Sequence, residues 1–289
     1  MRRYLGMACL AAACVVAPAG AKEEAPSSVA LQDLITMRVD GELVVGTDGT
    51  VASYDVKTKL DGKLKTLIDE SVARWRFETV TKDGQPTRAR SKMRITLAGR
   101  KATSGYDVYV DNVVFMPPDA VKSADDKHAG MTIEKMRPMP VYPHYNVNGL
   151  VTLMLRVAPD GTVADISATQ CSLYFAGGSS IQKARVCKAM EDNALSAIRQ
   201  WRFTLPTEPG ADNVGVMPVE YIGAGVRGDL IHETSEPGKW RLEARGAYRK
   251  PAWSRDANGQ RVGTADTVGN ELLPSHSILK FRSGGPEGA

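Results

Sequence analysis

The sequence has little of what catalysis recruits. Its four histidines, His128, His144, His232 and His276, are scattered, and no two have the i, i+4 spacing of a helical metal site. There is no Gly-x-Ser-x-Gly elbow, no Walker loop and no dinucleotide fingerprint. Charge of one sign is missing too. Once Arg2 and Arg3 are set aside, 35 basic residues face 33 acidic ones, which carries no signature for nucleic acid. Asp48 and Asp160 are conceivable as paired acids, yet each sits where a hairpin turn explains it. Taken together, the residues favour a binding protein over an enzyme, with no catalytic residues, cofactor or metal expected.

Long apolar runs are scarce. Residues 5–17 form one, shorter than the roughly 20 residues that span a bilayer. With Arg2-Arg3 before it and Ala19-Gly20-Ala21 after it, the run reads as a secretory signal peptide over residues 1–21, cleaved before Lys22. The expected location is the periplasm; acylation at Cys14, giving a lipoprotein, is the less favoured alternative. Cysteine is rare as well, and cleavage leaves only Cys171 and Cys187. In an exported protein such a pair is most simply a disulfide, whose short loop would contribute about 3 kcal/mol. A zinc knuckle or a Cys-x-x-Cys redox motif would need other spacing.

What the chain does have is a repeated grammar. In residues 149–157 an apolar run leads to Asp160-Gly161-Thr162-Val163-Ala164, then a helical stripe of Ala184, Met190, Ala194, Ala197 and Ile198, then Trp201-Arg202-Phe203. Asp-Gly between apolar runs predicts a hairpin pairing 150–157 with 163–168. Earlier, Asp48-Gly49-Thr50-Val51-Ala52 precedes a stripe of Leu60, Leu64, Leu67, Ile68 and Val72 and then Trp75-Arg76-Phe77. The order is the same, so the chain contains an internal duplication. Gly49 to Trp75 is 26 positions and Gly161 to Trp201 is 40, which places an insertion around Cys171 to Cys187. Asp61 is placed to cap the first helix, and Ser179 or Ser180, after Gly177-Gly178, to cap the second. An anion at that second helix start is the rarer alternative.

Pro140-Val141-Tyr142-Pro143, the opening Gly149-Leu150-Val151, the Asp-Gly turn and a helix ending Trp201-Arg202-Phe203 before Pro206 together resemble the C-terminal domain of the TonB energy transducers. The resemblance covers residues 136–223 well and 39–99 more loosely. It implies an α+β fold of two TonB C-terminal-like domains, each a small antiparallel sheet of hairpin, helix and further strand packed on one helix. It also implies strand addition to the N-terminal segment of an outer-membrane transporter or another envelope protein. Full transducers of that family carry a membrane-spanning N-terminus and a long proline-rich linker. Neither is read here, so binding without energy transmission is expected.

The expected layout is a first domain over 30–115, a linker over 116–135, a second domain over 136–223 and an irregular tail over 224–289. In the first domain, residues 87–97 alternate, with Ala89, Ser91, Met93, Ile95 and Leu97 on one face and Arg88, Arg90, Lys92 and Arg94 on the other. That basic face admits two readings. Either it meets an acidic peptide, anionic lipid or wall polymer, or it guards a sheet edge. Tyr142 and Pro143 are the second candidate contact, with packing as the alternative. Trp75, Phe77, Trp201 and Phe203 are expected mostly in the cores. Pro218 lacks a donor, so residues 214–221 should lie at an edge or pair only in part.

Overall fold

The computed structural model describes residues 31–116, 131–138, 147–174, 177–205, 213–223, 236–254, 273–274 and 279–286. Among them, in chain order, come β1 (Gln32–Val45), β2 (Val51–Val56), α1 (Gly62–Arg74), β3 (Arg76–Phe77), β4 (Thr81–Lys82), β5 (Gln85–Pro86), β6 (Ala89–Lys101) and β7 (Tyr106–Met116). Then follow β8 (Thr132–Lys135), β9 (Asn148–Val157), β10 (Val163–Tyr174), α2 (Ser180–Ile198), β11 (Arg202–Thr204) and β12 (Val214–Tyr221). The last three strands are β13 (Arg241–Arg245), β14 (Leu273–Pro274) and β15 (Phe281–Ser283). The fold is mixed α+β, mostly antiparallel sheet, with two helices among the described residues.

In each repeat the Asp-Gly-Thr turn and the Trp-Arg-Phe segment are two halves of one clasp. Gly49 and Gly161 turn the hairpins β1–β2 and β9–β10 at φ of +80° and +81°, a region open to glycine at little cost. A Cβ there would lie 2.3 Å from the Phe77 carbonyl oxygen and 2.4 Å from that of Phe203. The chain comes so close because it returns to the turn after each helix. Phe77 N–H donates to Gly49 O at 2.8 Å and Phe203 N–H to Gly161 O at 2.9 Å, while Thr50 and Thr162 bridge to Arg76 and Arg202. Inside each turn the aspartate accepts the threonine N–H, at 3.0 Å in both repeats. Hydrogen bonds from Thr50 and Thr162 hold both carboxyls below their usual range, which is the structural role expected of Asp48 and Asp160.

Both helices start on the caps the sequence offers. The Asp61 side chain accepts Leu64 N–H at 3.0 Å, and Ser179 forms a reciprocal box with Gln182. The helical stripes then cover their hairpins. Ile68, Val72, Trp75 and Phe77 pack with Leu43, Met93, Ile95 and Leu279, and Met190, Ala194 and Ile198 pack with Val151, Leu153, Leu173 and Phe203. Each fully buried aliphatic side chain such as Ile68 or Leu153 contributes about 1.5–3 kcal/mol. The extra length of the second repeat is regular structure. β10 has 12 residues against 6 in β2, and α2 has 19 against 13 in α1. Cys171 on β10 and Cys187 on α2 are joined by a disulfide that ties the two extensions together.

The two sheets expected from the sequence form one. Nine strands make a continuous sheet in the order β14-β12-β9-β10-β13-β1-β6-β7, with β2 added to β1. The joining strand is β13, which pairs with β1 on one side and β10 on the other. It falls in residues 224–289, read from the sequence as an irregular tail, and the reason lies in its side chains. Arg241, Glu243 and Arg245 are buried beside Ala244 while Leu242 is exposed, so the strand shows no apolar alternation. Glu243 accepts Thr36 Oγ1 at 2.7 Å from β1, Ser172 Oγ at 2.6 Å from β10 and Arg245 Nε at 2.6 Å. Arg245 also pairs with Asp111 on β7, and the Arg241 guanidinium lies 4.5 Å from the centre of the Tyr174 ring. Every charge in this buried network has a partner, as burial demands.

Two more strands come from stretches read as connection or tail. β8, inside residues 116–135, pairs with β11, and β15 pairs with β3, so each Trp-Arg-Phe strand takes a partner from outside its own repeat. Behind them, Trp201 Nε1 donates to Arg137 O at 3.0 Å, and Phe281 stacks on Phe77 with ring centres 4.8 Å apart. These strands are two to four residues long, too short for periodicity to reveal.

Candidate strand-docking site

The basic strand β6 is not an edge. β1 flanks it on one side and β7 on the other, so the edge-guarding reading is corrected: the strand at that end of the sheet is β7. Nor is its charged face bare. The register sets Arg94 opposite Asp40 and Lys92 opposite Glu42. Arg94 grips Asp40 with two hydrogen bonds, of 2.6 and 3.0 Å. Arg90 pairs with Glu42, which lowers the Glu42 carboxyl and raises the guanidinium. Lys92 is half-buried, and Arg88 is exposed just before the strand begins. Alternation shows which residues share a face, but only the register shows the acids across from them. Tyr142 and Pro143 lie outside the described residues. Among the described residues no cluster of metal-ligating side chains is found.

Two other strands, β12 and β2, have sides that are unpaired or only partly paired among the described residues. On β12, Pro218 stands opposite Thr152 of β9, and β14 meets only Gly215 and Val216, consistent with the partial pairing its proline predicts. The better edge is β2. It pairs with β1 alone among the described strands. Lys57 N–H points to Asp40 O on β1, so by alternation the backbone groups of Tyr54 and Val56 point away from β1.

Beside this edge runs a groove of about 540 Å³, with residues 50–54 on one wall and Asp69, Val72, Ala73 and Arg76 on the other. α1 positions the second wall because its buried stripe, Ile68 and Val72, turns Ala73 outward. At one end, Tyr54 Oη donates to Asp69 at 2.5 Å and Lys65 Nζ to the same carboxylate at 2.7 Å. Burial, then the bond to Asp69, pushes the Tyr54 hydroxyl up to about 12, while the bonds from Lys65 and Tyr54 lower Asp69. At the other end, Arg76 Nη1 donates to Ala73 O at 3.0 Å and Trp75 O at 2.7 Å. Exposed Ala52 and Ser53 leave room along the middle.

Sequence reasoning missed this site because β2 looks like half of an ordinary hairpin. Its outer edge has no partner among the described strands, while β13 meets β1 and β10, a long-range choice that no local signal announces. No family model matches the chain, and no curated protein or solved structure is significantly similar to it.

Proposed function

We propose that the protein is a non-catalytic interaction module of the cell envelope that binds an extended segment of a partner protein by strand addition. The observation that carries this reading is the β2 edge, unpaired on its outer side among the described strands, beside a groove of about 540 Å³. The resemblance of residues 136–223 and 39–99 to TonB C-terminal domains adds the setting. In that setting the partner is an outer-membrane transporter, and each repeat is a TonB-like domain of hairpin, helix and further strand. A signal peptide over residues 1–21 delivers such a module to the periplasm. No helix among the described residues is long and apolar enough to cross a membrane.

The rival reading has Arg88, Arg90, Lys92 and Arg94 bind cell wall or anionic lipid. Cross-strand pairing of Arg90 and Arg94 with Glu42 and Asp40 weighs against it, because each pair would have to open before a new anion could be held. Calorimetric titration of residues 22–289 with N-terminal peptides of outer-membrane transporters, at low and high salt, tests the two. Binding that persists in salt and is abolished by a proline inside the peptide supports strand addition. Binding to anionic vesicles that disappears in salt, with no peptide bound, supports the rival.

A further inference from the structure

The asymmetry between the repeats points to the polarity and chemistry of the bound segment. In the second repeat the chain covers the outer edge of the hairpin itself. β13 pairs with Ser172 to Tyr174, Gly246 N–H donates to Cys171 O and Arg249 N–H to Thr169 O, both at 2.8 Å, and Trp253 Nε1 donates to Ser167 Oγ at 3.1 Å. The corresponding strand of the first repeat, β2, receives nothing of the kind among the described residues. Natural sheets usually blunt such an edge with charge, proline or cover. On β2 only the exposed Asp55 is charged, and Ala52 and Ser53 do none of these.

Direction follows from the clasp. Arg76 already pairs antiparallel with Thr50 at the start of β2, so a strand continuing the same ladder runs antiparallel as well. Its N-terminal end then lies beside Tyr54 and Val56, and its C-terminal end beside Val51 and Arg76. The two ends differ in charge. Asp69 is hydrogen-bonded by Lys65 and Tyr54, whereas Arg76, whose charge is felt by Asp48, spends Nη1 on two backbone carbonyls and makes no side-chain hydrogen bond through Nε or Nη2 among the described residues. Between them Val51, Val72 and Ala73 offer a small apolar floor.

Resting on the strand-addition reading, we propose that the β2 groove takes an extended partner segment antiparallel to β2, with aliphatic side chains toward Val51, Val72 and Ala73 and an acidic side chain at its C-terminal end on Arg76. A displayed library of random twelve-residue segments, panned against residues 22–289, tests this. Ala73→Trp fills the groove from an exposed helix position, and its thermal midpoint, read alongside, shows that it still folds. Arg76→Gln removes the charge.

The expected result is enrichment of aliphatic segments with Asp or Glu near their C-terminal end, at least tenfold weaker on Ala73→Trp and indifferent to the acid on Arg76→Gln. Enriched segments that ignore Ala73→Trp, or that carry no C-terminal acid, overturn this site while leaving strand addition elsewhere. No enrichment at all overturns the binding reading itself.

Discussion

Individual residues are fixed most firmly where the chain crosses itself. At Gly49 and Gly161 a positive φ and a carbonyl oxygen within 2.4 Å of any added Cβ act together. Either glycine replaced by alanine should cost about 1–3 kcal/mol or more, because left-handed strain adds to displacement of the Phe77 or Phe203 strand. Urea unfolding of Gly49→Ala and Gly161→Ala checks this, and a loss below 0.5 kcal/mol in both would show that the clasp contributes little. Glu191 gives a pH test. Burial raises its pKa, outweighing the Arg249 guanidinium beside it. The folded chain therefore holds that proton more tightly than the unfolded chain, whose glutamates titrate near about 4.3. The stabilisation is complete below that value and is lost as pH rises through the folded pKa. Glu191→Gln should gain on the parent protein in urea midpoints as pH rises above about 4.3, and a constant difference would refute the assignment. Residue-level features of this kind were legible in the sequence, since Asp-Gly, Asp61 and Ser179 each act on neighbours within a few positions.

Among the elements, α2 and β10 depend on a covalent tie. Replacing both Cys171 and Cys187 by serine should lower stability by about 3 kcal/mol, read from chemical denaturation with and without reductant. Reductant should then have no effect on the variant. β13 depends on charge instead. Glu243→Ala leaves Arg241 and Arg245 buried without their shared acceptor and should cost about 3–5 kcal/mol. Hairpins and helices were legible because their apolar residues recur at 2.0 and 3.6. β13 was not, because it buries Arg241, Glu243 and Arg245 with Ala244 and exposes Leu242. The candidate site was hidden for a different reason: an edge is defined by the strand that does not come, and the basic stripe of β6 drew attention to charges already matched by Asp40 and Glu42.

For the whole molecule, duplication was legible and union was not. Trp75-Arg76-Phe77 and Trp201-Arg202-Phe203 announce two cores, but nothing local says that one strand joins them into nine. A chain ending at residue 223 should lose β13 and β15 together, baring the edges of β1 and β10 and the face of Phe77 that Phe281 covers. Light scattering should show oligomers where the longer chain stays dispersed, and a dispersed, folded truncation would show that each repeat is self-sufficient.

The position of β13 also sets a clock. Thr36 and Glu243, hydrogen-bonded in the middle of the sheet, are 207 residues apart in the chain. Contacts of such separation form slowly, since a long loop must close before they contribute. While the chain emerges from its N-terminus, β1 and later β10 wait with unpaired edges until β13 arrives. β13 therefore joins the two halves only after about five-sixths of the 289 residues have been delivered, and β14 is added later still. In that interval the molecule is most exposed to aggregation and most dependent on whatever escorts newly made chains.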